Sequence, residues 1–377
     1  MMPGMRVLLL HNRYRMEGGE ERAVGEIAAL LRRHGHDVRT LERSSEGTRG
    51  LTAAAGLIAG GLHPDEVAAA VRELGAEVVH AHNLHPLLGW RALAAARDAG
   101  ARTVMHLHNF RLFCAIAIGY RDGAPCFRCR GADTRPGLRL RCRGSVPEAA
   151  VYALGLHRQQ PRLFAEADAF LAVSDATARR LIDLGLPAEK TAALVNFVSD
   201  TALAAHSAAD QGTFALVSGR LVEEKGFDTA ILAARAAMVP LVVAGEGPDA
   251  PRLRALAAGG DVRFTGRLAP QELAELRATA AVVLVPSRWE EPCPYAALDA
   301  LAAGVPVLAS AHGGLPELVG PQGVLAAQDA DRWTEALRGL WRDPGTRREL
   351  GELGLRRARE RFSEAAYLER LLEIYRG

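Results

Sequence analysis

The stretch Val282–Pro306, VVLVPSRWEEPCPYAALDALAAGVP, sets a short apolar run, a proline-bounded loop and an apolar helical pattern in immediate succession. Val282–Val285 is uninterrupted Val and Leu, the pattern of a parallel strand covered on both faces. Pro286 and Ser287 close it, and Pro294, which lacks an N–H, fits the first turn of a helix over Tyr295–Ala303. A further apolar run at Val305–Leu308 completes a strand–helix–strand unit. Ligands of open α/β sheets collect just beyond the carboxyl ends of such strands. Glu291 falls in that loop and Asp299 eight positions later, about one turn into the helix. Two carboxylates so spaced can accept hydrogen bonds from hydroxyls on two parts of one ligand.

Upstream, Gly219–Gly226 reads GRLVEEKG, between an apolar run at Phe214–Val217 and a helical pattern at Phe227–Ala237. Arg220 and Lys225 are then cations at a strand end, beside the backbone N–H groups of a helix start, a combination suited to a diphosphate. Gly313-Gly314-Leu315-Pro316-Glu317 repeats the logic with glycines, which let a backbone approach an anion closely. Gly245-Glu246-Gly247-Pro248 follows a further strand run, Leu241–Ala244, and Arg263–Leu268, including Arg267, overlaps and extends another, Val262–Phe264.

The same alternation of apolar runs and helical patterns fills the 377 residues and divides near Asn196–Ala209. Before it come Arg6–Leu10, Val38–Leu41, Val78–Ala81, Arg102–Leu107, Ala169–Val173 and Ala192–Val195, with helices such as Gly19–His34 and Pro86–Ala99. After it come the runs already named, with a helix at Pro270–Thr279 between them. Two doubly wound, Rossmann-like α/β domains are expected, residues 1–197 and 198–361, followed by a terminal helix, 362–377, whose stripe Leu368, Leu371, Leu372 and Tyr375 must be buried. Composition is ordinary for globular domains, 49% hydrophobic and 24% charged, which argues against disorder. No run approaches the length of a membrane span, and Val7–Leu10 is too short for a signal core, so a cytoplasmic protein is expected. The first 197 residues carry 26 Lys and Arg against 20 Asp and Glu, the remainder 20 against 24.

At these residues the chain resembles the retaining glycosyltransferases of family 4 (group 1), over nearly its whole length. The resemblance rests on Gly18-Gly19 in the first strand-to-helix loop, His108 after a strand, Arg220 and Lys225, Gly245–Pro248, the Glu291–Asp299 pair and Gly313–Glu317. It implies the GT-B fold, two domains facing across a cleft, with the last helix crossing back to the N-terminal, acceptor-binding domain. It implies that Arg220 and Lys225 bind the donor diphosphate, that Glu291 faces the donor sugar and that His108 approaches that sugar from the opposite domain. Asp299 falls at the ribose-binding position, where the family has glutamate; aspartate is one methylene shorter, so a closer helix or a bridging water is expected. Gly18, Gly19, Gly219, Gly247, Arg267, Gly313 and Gly314 complete the expected donor-binding set. The implied reaction moves a sugar from a UDP- or GDP-sugar to a hydroxyl of a glycan, a lipid-linked saccharide or a small molecule. It does so with retention and without a metal, the leaving phosphate taking the acceptor's proton. An epimerase, a phosphorylase-like enzyme and a non-catalytic binding relative are the alternatives. Cys293, beside Glu291, reads as packing because no base lies close in sequence.

The segment Asn109–Pro147 is too long for a plain connection. It holds four of the five cysteines, Cys114, Cys126, Cys129 and Cys142, and seven arginines between Arg121 and Arg143. Cys126-x-x-Cys129 is half of a zinc knuckle that Cys114 and Cys142 would complete; thiols and a local disulfide stand as alternatives. The arginines suit an anionic membrane at the inner face, a phosphate-bearing acceptor or plain solvation. A nucleic-acid role is not expected, because only Tyr120 and Phe127 offer stacking there. Tyr14–Glu21, with the same segment, should line the acceptor side. His80-x-His82 and His106-x-His108 each put two rings on one side of a strand, so a metal site can be drawn, although strand-end packing accounts for them with less.

Overall fold

The computed structural model describes residues 4–14, 18–325 and 329–377. The chain divides into two compact units. The first comprises Met1–Gly119, Cys126–Leu194 and Leu368–Gly377, the second Tyr120–Pro125 and Val195–Tyr367. The terminal helix, Glu364–Arg376, therefore begins in the second unit and ends in the first. Three short pieces fall differently from the sequence boundaries: residues 195–197, residues 362–367 and the hairpin within 109–147 all belong to the second unit.

The first unit is built on six parallel strands, β1 (Arg6–Arg13), β2 (Asp37–Ser44), β3 (Val78–Ala81), β4 (Arg102–Leu107), β7 (Ala169–Ala172) and β8 (Thr191–Ala193), in the order β2-β1-β3-β4-β7-β8. The hairpin strands β5 (Tyr120–Arg121) and β6 (Ala124–Pro125) pair with each other. Every residue of β3 and of β7 is buried, as expected of mostly apolar strands with helices on both faces, His80 being the one polar residue among them. The helix Gly19–Arg33 shows the complementary pattern, burying Ala23, Val24, Ile27, Ala28, Leu30 and Leu31 along one side.

The second unit has six parallel strands, β9 (Ala215–Ser218), β10 (Leu241–Ala244), β11 (Val262–Gly266), β12 (Val282–Val285), β13 (Val307–Ser310) and β14 (Val324–Leu325), in the order β11-β10-β9-β12-β13-β14. Counted within the unit this is the dinucleotide-fold order 3-2-1-4-5-6, while the first unit follows 2-1-3-4-5-6. Its core joins Val217, Val243 and Leu284 from the sheet to Ile231 and Ala234 of the helix Phe227–Ala237 and to Trp333 and Leu337 of the helix Ala330–Arg342. Asp329 starts that last helix, its carboxylate accepting from the Arg332 N–H at 3.0 Å.

Strand order decides where a ligand belongs. In the second sheet the direction of winding reverses between β9 and β12, which are direct neighbours. The loops leaving their carboxyl ends are Gly219–Gly226 and Pro286–Pro294, the two segments singled out in the sequence.

Candidate active site

Those two loops meet. Lys225 Nζ donates to Glu291 Oε1, and Ser287 Oγ donates to the same oxygen at 2.6 Å. Glu291 is buried, whereas the Lys225 side chain keeps 26% of its exposure and lies 5.4 Å from the centre of the Trp289 ring. The ammonium is thus fixed from two sides and still reachable. Arg220, at the head of the first loop, is more exposed and reaches Glu224 Oε1 at 3.4 Å. Just after the lysine in sequence, Asp228 accepts from Arg288 at 2.8 Å and from Arg252 at 3.2 Å, so the start of the helix Phe227–Ala237 is braced against the loop after β12 and against the helix Ala250–Ala257. Those arginines hold the Asp228 carboxyl below its usual range although burial pushes it up.

Glycines let the loops close in. Gly226 is left-handed, φ 67°, and a Cβ there would stand 2.0 Å from the Pro286 carbonyl oxygen. Gly313, φ 58°, would collide with the Glu291 carbonyl oxygen at 2.2 Å, while the neighbouring Gly314 N–H donates to that oxygen at 2.7 Å. The short helix Leu315–Val319 is thereby tied to the loop that carries Glu291. Gly219, Gly245 and Gly247 pack backbone on backbone: a Cβ on Gly245 would meet the Gly219 oxygen at 1.9 Å and one on Gly247 the Leu221 oxygen at 2.3 Å. We expect Gly226→Ala to destabilise the fold by at least the ~1–2 kcal/mol of a left-handed alanine, with the clash added, read as a lowered melting temperature, and to weaken nucleotide binding. Calorimetry of the variant alone and with ligand separates the two effects, and an unchanged melting temperature would contradict this reading of the turn.

Asp299 sits on the helix Tyr295–Ala302 with its carboxylate 3.3 Å from Arg277 of the helix Pro270–Ala278, both side chains mostly buried. The aspartate is therefore engaged with a cation of its own unit, a partner the sequence reading did not foresee. Arg267 follows β11 just after Gly266. Pro294 is the N-cap of the helix Tyr295–Ala302 rather than its first turn. Cys293 is buried with Asn196 hydrogen-bonded to it, and burial pushes its thiol up to about 12, so it packs and does not attack.

In the first unit His108 follows β4 and is half-buried, its Nε2 2.9 Å from His82 Nδ1. It belongs to a stack in which His80, His82, His106 and His108 lie ring on ring, 4.4–5.5 Å apart. Tyr375 of the terminal helix closes one end, its hydroxyl 2.7 Å from His80 Nδ1. Burial, then the neighbouring imidazoles, holds His108 down to about 3, a neutral ring at physiological pH. Nitrogens of His80, His82 and His106 come within 4.8 Å of one another, a spacing compatible with a metal. Their planes, however, lie within 14–30° of parallel, so the ring lone pairs run alongside each other instead of converging.

Gly18 and Gly19 open the helix Gly19–Arg33, and the Gly18 N–H is taken by Glu21 Oε2 at 2.9 Å. Burial pushes the Glu21 carboxyl up, but hydrogen bonds from His11 and from backbone N–H groups outweigh it and hold the group at about 2. The sequence reading missed what stands beside it. Tyr14 donates to Glu20 at 2.7 Å, Asn109 to Glu20 at 3.1 Å and Arg111 to the Tyr14 hydroxyl at 3.1 Å, a buried polar network just after His108. Its members come as two local pairs, Tyr14 with Glu20 and Asn109 with Arg111, about ninety residues apart in sequence, and the pairing of β1, β3 and β4 brings the two pairs together. Residues 15–17 of the expected acceptor-side stretch Tyr14–Glu21 lie outside the described residues.

Two family descriptions match the chain in tandem: a glycosyl transferase 4-like domain over residues 18–196, and the glycosyl transferases group 1 over residues 199–357. The chain belongs to the group 1, family 4 glycosyltransferases. It is 35% identical over 133 residues to an MMP alpha-(1->4)-mannosyltransferase of Mycolicibacterium hassiacum, a match covering 34% of this chain and 32% of that protein. Among solved structures, a sucrose-phosphate synthase from Thermosynechococcus elongatus superposes with a TM-score of 0.71 at 18% identity, over 99% of this chain and 98% of the other. HepE of Anabaena in complex with UDP and glucose superposes with 0.67 at 18% identity, over 98% of each. This group 1 chain therefore has the GT-B fold. It spans between about a quarter and a half of the length of the curated relatives it matches. Among the described residues no helix is long and apolar enough to cross a membrane.

Proposed function

We propose that this chain transfers a sugar from a nucleoside-diphosphate sugar to a hydroxyl acceptor, with retention of anomeric configuration and without a catalytic metal. The reading is carried by one observation: Lys225, Glu291 and Ser287 converge where the strand order of the second unit reverses. A reachable cation next to a buried acceptor supplies what departure of a sugar from a diphosphate needs. Lys225 and Arg220 stabilise the charge growing on the leaving phosphate, and Glu291 accepts hydrogen bonds from the sugar. Asp299, with Arg267 and the glycines Gly219, Gly247, Gly313 and Gly314, forms the rest of the donor-binding set, and a water bridges Asp299 to the ribose while Arg277 holds it. Gly18, Gly19 and His108 are the first unit's contribution to turnover, His108 as a neutral hydrogen-bonding ring.

The acceptor reading rests on charge. Arg128, Arg130, Arg135, Arg139 and Arg141 are exposed, which favours a phosphate-bearing or lipid-linked acceptor at an anionic inner membrane face, with the chain cytoplasmic and peripheral. The relative from Mycolicibacterium hassiacum is named for mannosyl transfer and the Anabaena structure holds UDP and glucose, so both GDP- and UDP-sugars belong in the first panel.

The test is the melting temperature of the chain with UDP, GDP, ADP or CMP, run beside Arg220→Ala. A nucleotide at 100 times its dissociation constant adds about 2.7 kcal/mol of stability. A shift with one diphosphate that Arg220→Ala loses supports the reading. No shift with any nucleotide at millimolar concentration would overturn it. Turnover of the matching sugar donor without any acceptor would instead indicate an epimerase, and dependence on inorganic phosphate a phosphorylase.

A further inference from the structure

The segment between β4 and the helix Val146–Glu166 contains only the hairpin β5–β6 and the five-residue helix Arg135–Arg139, too little to bury a core of its own. It is anchored to the unit by the buried Phe110, Leu112 and Phe113, and it holds four cysteines, none in a disulfide and all partly buried. Two glycines tie them in pairs. The backbone of Gly119 hydrogen-bonds to the Cys114 sulfur, and its carbonyl accepts from the Cys126 N–H at 2.7 Å. The backbone of Gly137 hydrogen-bonds to the Cys129 sulfur, and its carbonyl accepts from the Cys142 N–H at 3.0 Å. Cys114 also receives the backbones of Ile116 and Ala117, the latter in a left-handed conformation, φ 69°, that alanine rarely adopts. N–H groups gathered on sulfur favour thiolate over thiol.

The pairs also meet each other: Cys129 feels the charge of Cys114, Cys142 and Cys126 together. A divalent ion offsets the repulsion among thiolates brought together in this way. The remaining charge is also provided for, because a four-thiolate zinc centre carries two negative charges. Cys129 stands between Arg128 and Arg130, and Cys142 between Arg141 and Arg143.

We propose that Cys114, Cys126, Cys129 and Cys142 hold one structural zinc ion as a tetrahedral four-thiolate site that orders the segment between β4 and the helix Val146–Glu166. Zinc displaces the thiol protons to solvent and forms four bonds of about 2.3 Å. Among the described residues the 4.8 Å spacing of three ligand atoms is met by the histidine trio and not by the cysteines, so the sulfurs draw in as the ion binds. The trio is the competing address, and the experiment is built to tell the two apart.

Metal content is measured on the full chain purified under reducing conditions, for the wild type, Cys129→Ser and His82→Gln, together with titration of the wild type by a mercurial reagent in the presence of a zinc indicator. One zinc per chain is expected in the wild type and in His82→Gln, with at least a tenfold loss in Cys129→Ser. If Cys129→Ser fails to fold, the titration decides, since release of one zinc on blocking four thiols supports the site without any variant. Cobalt substitution should give the intense sulfur-to-metal absorption of a thiolate site. Zinc retained in Cys129→Ser but lost in His82→Gln would overturn the proposal. So would a reduced wild type that binds neither zinc nor cobalt, or intact-mass evidence of two disulfides in the freshly purified chain. None of these readouts depends on nucleotide binding or turnover.

Discussion

Lys225→Ala is expected to lower sugar-donor turnover about a thousandfold, the loss that follows removal of one preorganised charge from a developing oxyanion. The variant also leaves Glu291 buried without its cation, with Ser287 still donating to its carboxylate. Breaking a fully buried pair costs roughly 3–5 kcal/mol, and the quarter of Lys225 still exposed brings the expected loss to the low end of that range. Activity and folding are therefore both at stake, and a fall in turnover alone would prove little. Glu291→Gln separates them. The amide keeps the volume and the hydrogen bond from Ser287 but gives up the charge that competes with a diphosphate for Lys225. Nucleoside diphosphate should then bind as tightly as in the wild type or a few-fold more tightly, while turnover falls by orders of magnitude. Calorimetric titration with the nucleotide selected by the melting panel, alongside steady-state kinetics, reads both quantities. Turnover unchanged in Lys225→Ala would remove the diphosphate site from this loop, and nucleotide binding lost in Glu291→Gln would mean that the carboxylate serves the nucleotide and not the sugar.

Much of this architecture was legible because parallel sheets write themselves plainly. Val78–Ala81, Arg102–Leu107, Leu241–Ala244 and Val282–Val285 are bounded in the structure as the sequence runs bound them, since strands buried on both faces are apolar along most of their length, with Arg102, Thr103 and the histidines His80 and His106 as the polar exceptions. Val305–Leu308 slid to Val307–Ser310 because Pro306 cannot donate to the ladder and the strand starts after it. The two-residue β14 had no run to announce it. In the site, Lys225 and Glu291 were readable from their position after β9 and β12. Ser287, which shares the same carboxylate oxygen, was read only as the end of a strand. The partner of Asp299 was hidden for another reason. Arg277 lies on a preceding helix at no telling spacing, and only packing of that helix against Tyr295–Ala302 brings the two charges to 3.3 Å. The histidines were visible as i, i+2 pairs on two strands, but the stack depends on the register that pairs His80 with Val104. Pairing in that register sets the rings of β3 beside those of β4.

That stack should make the first unit labile to acid. Burial, reinforced for His82, His106 and His108 by neighbouring imidazoles, holds His80, His85 and His108 down to about 3 and His82 and His106 well below the ordinary value. The unfolded chain, with histidines near 6.5, takes up protons first, so their contribution is intact above about pH 6.5 and is lost as pH falls toward the folded values. Each such histidine withdraws ~1.4 kcal/mol per pH unit over that interval, and even two or three of them reach the ~5–15 kcal/mol of a typical fold within two to three units. The groups around the stack do not cancel this. Tyr375 is pushed up and stays neutral, Arg111 is a cation that opposes His85 protonation, and Glu21, held at about 2, keeps its charge throughout. Glu20 works in the opposite sense, because burial raises its carboxyl and falling pH relieves that penalty, but it is one group against five. The melting temperature, followed by circular dichroism, should therefore fall steeply between pH 6.5 and 5, before ordinary carboxylates titrate, and replacing His82 and His106 by glutamine should flatten the slope. A melting temperature level from pH 7 to pH 5 would show that the stacked rings take up protons in place, and the structural role assigned to them here would fail with it.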